Sequence, residues 1–429
     1  MRRVVFVVAV VVILAGCAAP LAGDEPGTPD GDLGVVDGIA YDDDLSISVE
    51  NGLNQTELDL LAARSMARIE VIRGLEFEET VDIELMTREE YREHRSSGSD
   101  ENRTQWENQV WEAKFIVGQD RDVTEELDRT FGDAVQGFYS PRDERVVIVT
   151  DGENAAVSKH TLVHELVHVL QDQRFGLEAP PDRLDPAMAR NGVIEGEAEL
   201  IPELYFERCG AEWSCLEPPA RTGGQSDVDP GIILLLIQPY QQGPEFVQSI
   251  KDQGGWEQVD ALHDEYPVST AQIIDPEKYP DVRPVNVSVE DRSTDEWARL
   301  DHEPVAETVG EAAIYVMFWH NRVITVDDFY EYSHPSSSGW TGDELVPYTN
   351  DEGESGYVWA LEWESADDAE QFADTYRELL AEHGALERGQ RSYVIPDGPF
   401  AGAFDVHHDG TTVRIVKGPT LGALAEIHS

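Results

Sequence analysis

The string His164-Glu165-Leu166-Val167-His168 constrains this chain more than any other stretch. It sits in a helical pattern over 157–174, where Leu162, Val163, Leu166, Val167, Val169 and Leu170 surround the two histidines and Gly176 follows the end. On a helix, positions four apart share a face, so the two imidazoles converge on one point. Glu165 is offset from that line, and its carboxylate reaches a water at that point without being a ligand. Two imidazoles in so apolar a helix are costly to bury unless something engages them. Two neutral imidazole nitrogens with an adjacent carboxylate base are what a hydrolytic Zn²⁺ site requires. His164 and His168 are therefore expected as metal ligands and Glu165 as general base.

A catalytic zinc needs a third protein ligand and an open position for water. Pro180-Pro181 ends the first helical segment, and a second helix is expected over about 185–207, carrying Glu195-Gly196-Glu197-Ala198-Glu199. Glu195 and Glu199 are four apart and share a face, while Glu197 points elsewhere and is the rival ligand. The arrangement resembles the gluzincin peptidases, in which HExxH is followed on a second helix by a liganding Glu, often in an E-G-x-A context. That resemblance implies Glu195 as third ligand and Glu199 as a partner to a zinc-bound histidine. Glu195 stands 27 residues beyond His168, further than in thermolysin-like enzymes, and the Pro-rich 178–186 segment absorbs the excess as a loop.

A wider likeness, over roughly 130–380, is to a family of uncharacterised prokaryotic metallopeptidase-like proteins, in a haloarchaeal surface-lipoprotein form. It rests on Leu170-Gln171-Asp172-Gln173-Arg174-Phe175 after the motif, Gln136-Gly137-Phe138-Tyr139 before it, Ser269 to Ile274 with Pro276-Glu277-Lys278-Tyr279, and Gly339-Trp340-Thr341-Gly342-Asp343. The resemblance implies a zincin fold and a zinc-dependent peptidase, with no substrate specified.

The pattern elsewhere is α+β. Helical periodicity covers 55–75, and strands are expected at 81–85, 137–139 and 146–149. Arg145 to Thr150 is the expected edge strand for an extended peptide. Polar 93–108 and the Ser-, Gly- and acid-rich 335–356 are expected as loops. A helix over 305–321, a strand at 357–363, a helix at 366–384 and strands near 392–395, 402–406 and 412–416 follow. The implied division is a signal at 1–17, a Gly/Pro/Asp linker at 18–45, a zincin-like domain at 46–303 and a smaller α+β region at 304–429. Tyr240, His263 and Tyr266 are candidate donors for an oxyanion.

The N-terminus sets the compartment. Arg2-Arg3 and an apolar run from Val4 to Leu14 are too short for a membrane span and fit a signal sequence. Leu14-Ala15-Gly16-Cys17 resembles the lipobox of prokaryotic lipoproteins, which implies lipidation of Cys17, a membrane attachment and an extracytoplasmic, cell-surface location. Cys209 and Cys215 then lie in an oxidising compartment and are expected to form a short-loop disulfide. With 86 acidic against 31 basic residues, a net charge of −55, a phosphate backbone is repelled and nucleic acid is excluded as a partner. This Lys-poor, acid-coated composition resembles proteins of extreme halophiles. The expected activity is zinc-dependent hydrolysis of a peptide or protein substrate; the alternative is a catalytically silent surface binding or architectural lipoprotein on the same scaffold.

Overall fold

The computed structural model describes residues 33–45, 47, 53–95, 101–150, 158–215 and 228–429. Cys17, the signal and the first part of the linker lie outside the described residues. The remaining linker residues are not a bare spacer: Val35–Val36 pairs with Ile39–Ala40, Val36 is buried, and the Gly34 amide donates to Glu70 at 2.8 Å.

The chain is mixed α and β, as its two periodicities require. Helix Gln55–Arg73 opens with a capping box, in which the Asn54 and Glu57 side chains each satisfy the other's backbone N–H. The motif helix, Lys159–Phe175, is capped by the Ser158 hydroxyl and closed by Gly176 at φ 76°. Its residues from Thr161 to Gln171 are all buried, so it is a core helix and not a surface one. The second helix, Leu184–Glu207, packs on it and on the long helix Gln238–Asp264. The latter crossing is glycine-made: a Cβ on Gly196 would stand 2.4 Å from the Gly243 carbonyl, and one on Gly243 would stand 2.3 Å from the Gly192 carbonyl oxygen. Gly196→Ala should therefore force the two helices apart and cost about 3 kcal/mol. A chemical-denaturation midpoint matching wild type would contradict this close approach.

A three-stranded sheet lies against the motif helix in the order Asp82–Thr87, Arg145–Thr150, Gly137–Ser140. Arg145–Thr150 is the central strand, parallel to the first and antiparallel to the last. This corrects the expected edge: Val146 to Val149 is a continuous apolar run because the strand is covered on both sides. Gly137–Ser140 is an edge strand of this sheet.

The C-terminal part is an antiparallel seven-stranded sheet in the order Trp297–Arg299, Trp340–Asn350, Ser355–Trp363, Thr412–Gly418, Gly402–Asp409, Ser392–Ile395, Leu386–Glu387. One face packs on helix Ala366–Glu382 and helix Gly310–His320, which is apolar from Ala312 to Trp319, in a core that also includes Trp106, Ile232 and Leu235 from before residue 303. The other face is covered by helix Leu421–Ile427. Two expected loops are corrected here. Residues 88–95 and 101–113 are helical, with Trp106, Val110 and Trp111 turned into the core. Residues 340–350 form an eleven-residue interior strand.

Candidate metal centre

The motif helix delivers His164 and His168 one turn apart, and the second helix brings Glu195 up beside them. The three groups are buried, and their donor atoms lie within 4.8 Å of one another. His164 Nε2 and His168 Nε2 are 3.2 Å apart, and each stands 3.3 Å from Glu195 Oε2. These separations carry chemical information. Donors held about 2.0 Å from one cation at tetrahedral angles are about 3.3 Å from each other. The triangle is thus one face of a tetrahedron of zinc-ligand size. Glu195 Oε2 has no hydrogen-bond donor among the described residues, which leaves an anionic oxygen, buried and aimed at two ring nitrogens.

Glu165 lies beside this triangle at full burial, and neither carboxylate oxygen has a side-chain hydrogen-bond partner among the described residues. Burial pushes its carboxyl up to about 7, with the two motif histidines pulling weakly the other way. Glu195 behaves oppositely: burial would raise it, but the adjacent His168 and His164 hold it down at about 2. For His164, burial favours the neutral ring, yet the close carboxylates of Glu195 and Glu199 win, and its pKa lies well above the usual value.

The expected partner role of Glu199 has a geometric counterpart. Its Oε1 is 3.0 Å from His164 Nδ1, the ring nitrogen facing away from the triangle, although outside good hydrogen-bond angles. Glu197, the rival ligand, is committed elsewhere. It is paired with Arg73 from the end of helix Gln55–Arg73, accepts from Gln171 Nε2 at 2.8 Å, and meets His263 Nε2 at 2.9 Å.

That network also removes two of the three oxyanion candidates. His263 bridges Glu197 and the Tyr266 hydroxyl, which is 3.0 Å from its Nδ1. Tyr240 is the one beside the site, its ring stacked on His164 at 6.1 Å and lining a groove of about 940 Å³ between the second and long helices. Cys209 and Cys215 are disulfide-bonded. His407 meets Arg391 at the C-terminal sheet, far in sequence from the triad and in no metal-ligating cluster among the described residues.

The strand expected at 137–139 is present, but its place as the edge strand beside Glu165 was not foreseen. The Val149 amide donates to the Gln136 carbonyl, so residues 136, 138 and 140 bond to the central strand. By alternation, Gly137 and Tyr139 turn their backbone groups to the open edge. The Tyr139 amide is on the Glu165 side and slightly favours its ionised form. The Gln136-Gly137-Phe138-Tyr139 string was the signal available. Gln171 and Arg73 were also missed as site-supporting groups, because nothing in their spacing ties them to the motif.

A family model described as a domain of unknown function (DUF8575) matches residues 298–428. The matched stretch covers the C-terminal sheet and includes none of the triad. Comparison with curated proteins and with solved structures gives no match.

Proposed function

We propose that the protein is a zinc metallopeptidase-like hydrolase of gluzincin type, with His164, His168 and Glu195 as ligands and Glu165 as general base. The observation that carries this is the 3.2–3.3 Å donor triangle beside a buried carboxylate that no side chain among the described residues engages. A Zn²⁺ held there supplies Lewis acidity and lowers the pKa of a water by several units. Glu165 takes the proton of the attacking water as its oxygen bonds the peptide carbon, and returns that proton to the amine as the C–N bond breaks. The outward-turned backbone of Gly137 and Tyr139 offers hydrogen bonds to an extended peptide. The Cys209–Cys215 disulfide supports an oxidising, extracytoplasmic setting. Attachment through a lipid on Cys17 is carried by the N-terminal sequence alone, as is the halophilic reading of the composition.

Burial favours the second reading. His164, Glu165, His168 and Glu195 are each no more than 3% exposed, whereas a protein substrate must reach them. A metal-holding surface protein without turnover has no such need. Zinc analysis and digestion of casein in concentrated salt, with and without chelator, separate the two. Zinc at one per chain with chelator-sensitive cleavage supports the peptidase; no cleavage, with or without zinc, supports the silent scaffold; no zinc removes the metal-site reading.

A pH dependence follows. The metal-free site holds an extra proton because the pKa of His164 is raised, and zinc must displace it. Below that raised pKa the apparent zinc affinity should climb about tenfold per pH unit for each proton displaced. Titration calorimetry in buffers of different ionisation enthalpy reads the released proton directly. Affinity flat from about pH 6 to 8 would count against a ligand role for His164.

A further inference from the structure

We propose that Gln171 is the positioning residue of this metal site, fixing the tautomer of His168 and the backbone that carries Glu195 at the same time. The inference rests on the zinc-site reading above and adds a residue that neither the motif nor its spacing marks.

The donor and acceptor chemistry around Gln171 leaves one solution. Its amide contacts three groups: the Ile194 carbonyl at 3.0 Å, Glu197 Oε2 at 2.8 Å and His168 Nδ1 at 2.9 Å. A carbonyl and an ionised carboxylate only accept, so the end of the amide facing them must be the NH₂. The Ile194 carbonyl has no hydrogen to give in any state, and Glu197 already accepts from Arg73 on its other oxygen. Gln171 Oε1 is then the atom at His168, and it accepts. His168 Nδ1 must carry the hydrogen, and Nε2 must present its lone pair to the triangle. The orientation of this amide is thus set by its neighbours, with no freedom to flip.

The second consequence concerns Glu195. Ile194 is the residue before it, so the Gln171 N–H pins the helix turn that delivers the third ligand. Gln171 is 1% exposed, so these bonds are sheltered from bulk solvent. Behind it, Arg73 and His263 hold Glu197 from two further helices. Four helices therefore register on one amide that touches a ligand ring from behind. Partners of this kind orient ligands and typically change metal affinity by about 10- to 100-fold when removed.

The test uses the full chain in concentrated salt and Zn²⁺ as the probe. Competition with a chromophoric chelator gives zinc affinity, and thermal melting of the metal-free protein gives stability. Gln171→Met keeps the volume and removes all three bonds; it should weaken zinc by about 10- to 100-fold. Wild-type zinc affinity with a lowered metal-free melting temperature shows a merely structural residue and overturns the proposal. If wild type itself binds no zinc, the metal-site reading falls and takes this one with it, which is a distinguishable outcome. Should Gln171→Met not fold, long-range ¹H–¹⁵N spectra of the metal-free wild type still decide, with His168→Ala identifying the resonance. An Nδ1–H tautomer at His168 is expected, and an Nε2–H tautomer refutes the assignment.

Discussion

Glu165→Gln is expected to keep its zinc and to lose about 10³-fold in peptide hydrolysis, the scale of a missing general base. Glutamine has the same shape and stays buried, so the ligand triangle is undisturbed; only the proton acceptor disappears. The same substitution should also make the metal-free protein more stable at alkaline pH. Burial raises the Glu165 carboxyl to about 7 from an ordinary value near 4.5. As pH rises through that window the unfolded chain ionises before the folded one does, so folding loses stability and the loss is complete above about 7. A neutral glutamine escapes that loss, and the two proteins should melt alike only at acid pH, below the ordinary carboxylate value. Loss of turnover with a gain in stability marks a group retained for chemistry against the interest of the fold. Undiminished hydrolysis with zinc in place would show that Glu165 is not the base, and equal melting at pH 8 would show that its burial carries no such cost.

What the sequence made legible follows from what is local. The motif helix was readable within two residues at each end, because its apolar flanks and Gly176 are adjacent in the chain. Glu195 was readable only through resemblance, since Glu197 is as acidic and as near; what separates them is Arg73, 124 positions away from Glu197 and invisible to any periodicity. The edge strand was misassigned because alternation cannot say which of two adjacent strands is covered twice, although the unbroken Val146 to Val149 run was the better clue to a central one. Helix Glu101–Ala113 looked like a loop since its polar residues outnumber the few that reach the core. Strand Trp340–Asn350 was hidden by Gly342, Asp343, Glu344 and Pro347, residues that ordinarily leave a sheet. Each has a tertiary reason. Gly342 lies where a Cβ would stand 2.5 Å from the Val285 carbonyl oxygen, and the Pro347 carbonyl accepts from the Leu300 amide at 3.0 Å.

Asp343→Leu is expected to cost more stability than any other single change in the C-terminal sheet. The carboxylate is buried and accepts four hydrogen bonds: from the Val309 and Gly310 amides at 2.9 and 3.0 Å, and from the indoles of Trp340 and Trp359 at 3.0 Å each. The amides belong to the start of helix Gly310–His320, whose own cap position is Val309 and offers no side-chain acceptor. A strand residue more than thirty positions later therefore caps that helix, and the cap sits where the helix dipole is positive. Burial raises the Asp343 carboxyl against the pull of all four donors, so the isolated group is unfavourable and its value lies in the donors it satisfies. Leucine fills the space and leaves four buried N–H groups without acceptors, at about 1 kcal/mol or more each. The sum, on the order of 4 kcal/mol, is a large share of the 5–15 kcal/mol typical of a folded protein. Asp343→Asn keeps one acceptor oxygen but turns an NH₂ toward the remaining donors, so it should fall between wild type and leucine. Denaturant titration in concentrated salt, followed by tryptophan fluorescence, reads both steps because Trp340 and Trp359 are the reporters. If leucine unfolds at the wild-type midpoint, the four bonds do not hold the helix to the sheet. If leucine unfolds the sheet while zinc remains bound at His164, His168 and Glu195, the metal centre is stable without the region that carries the family match.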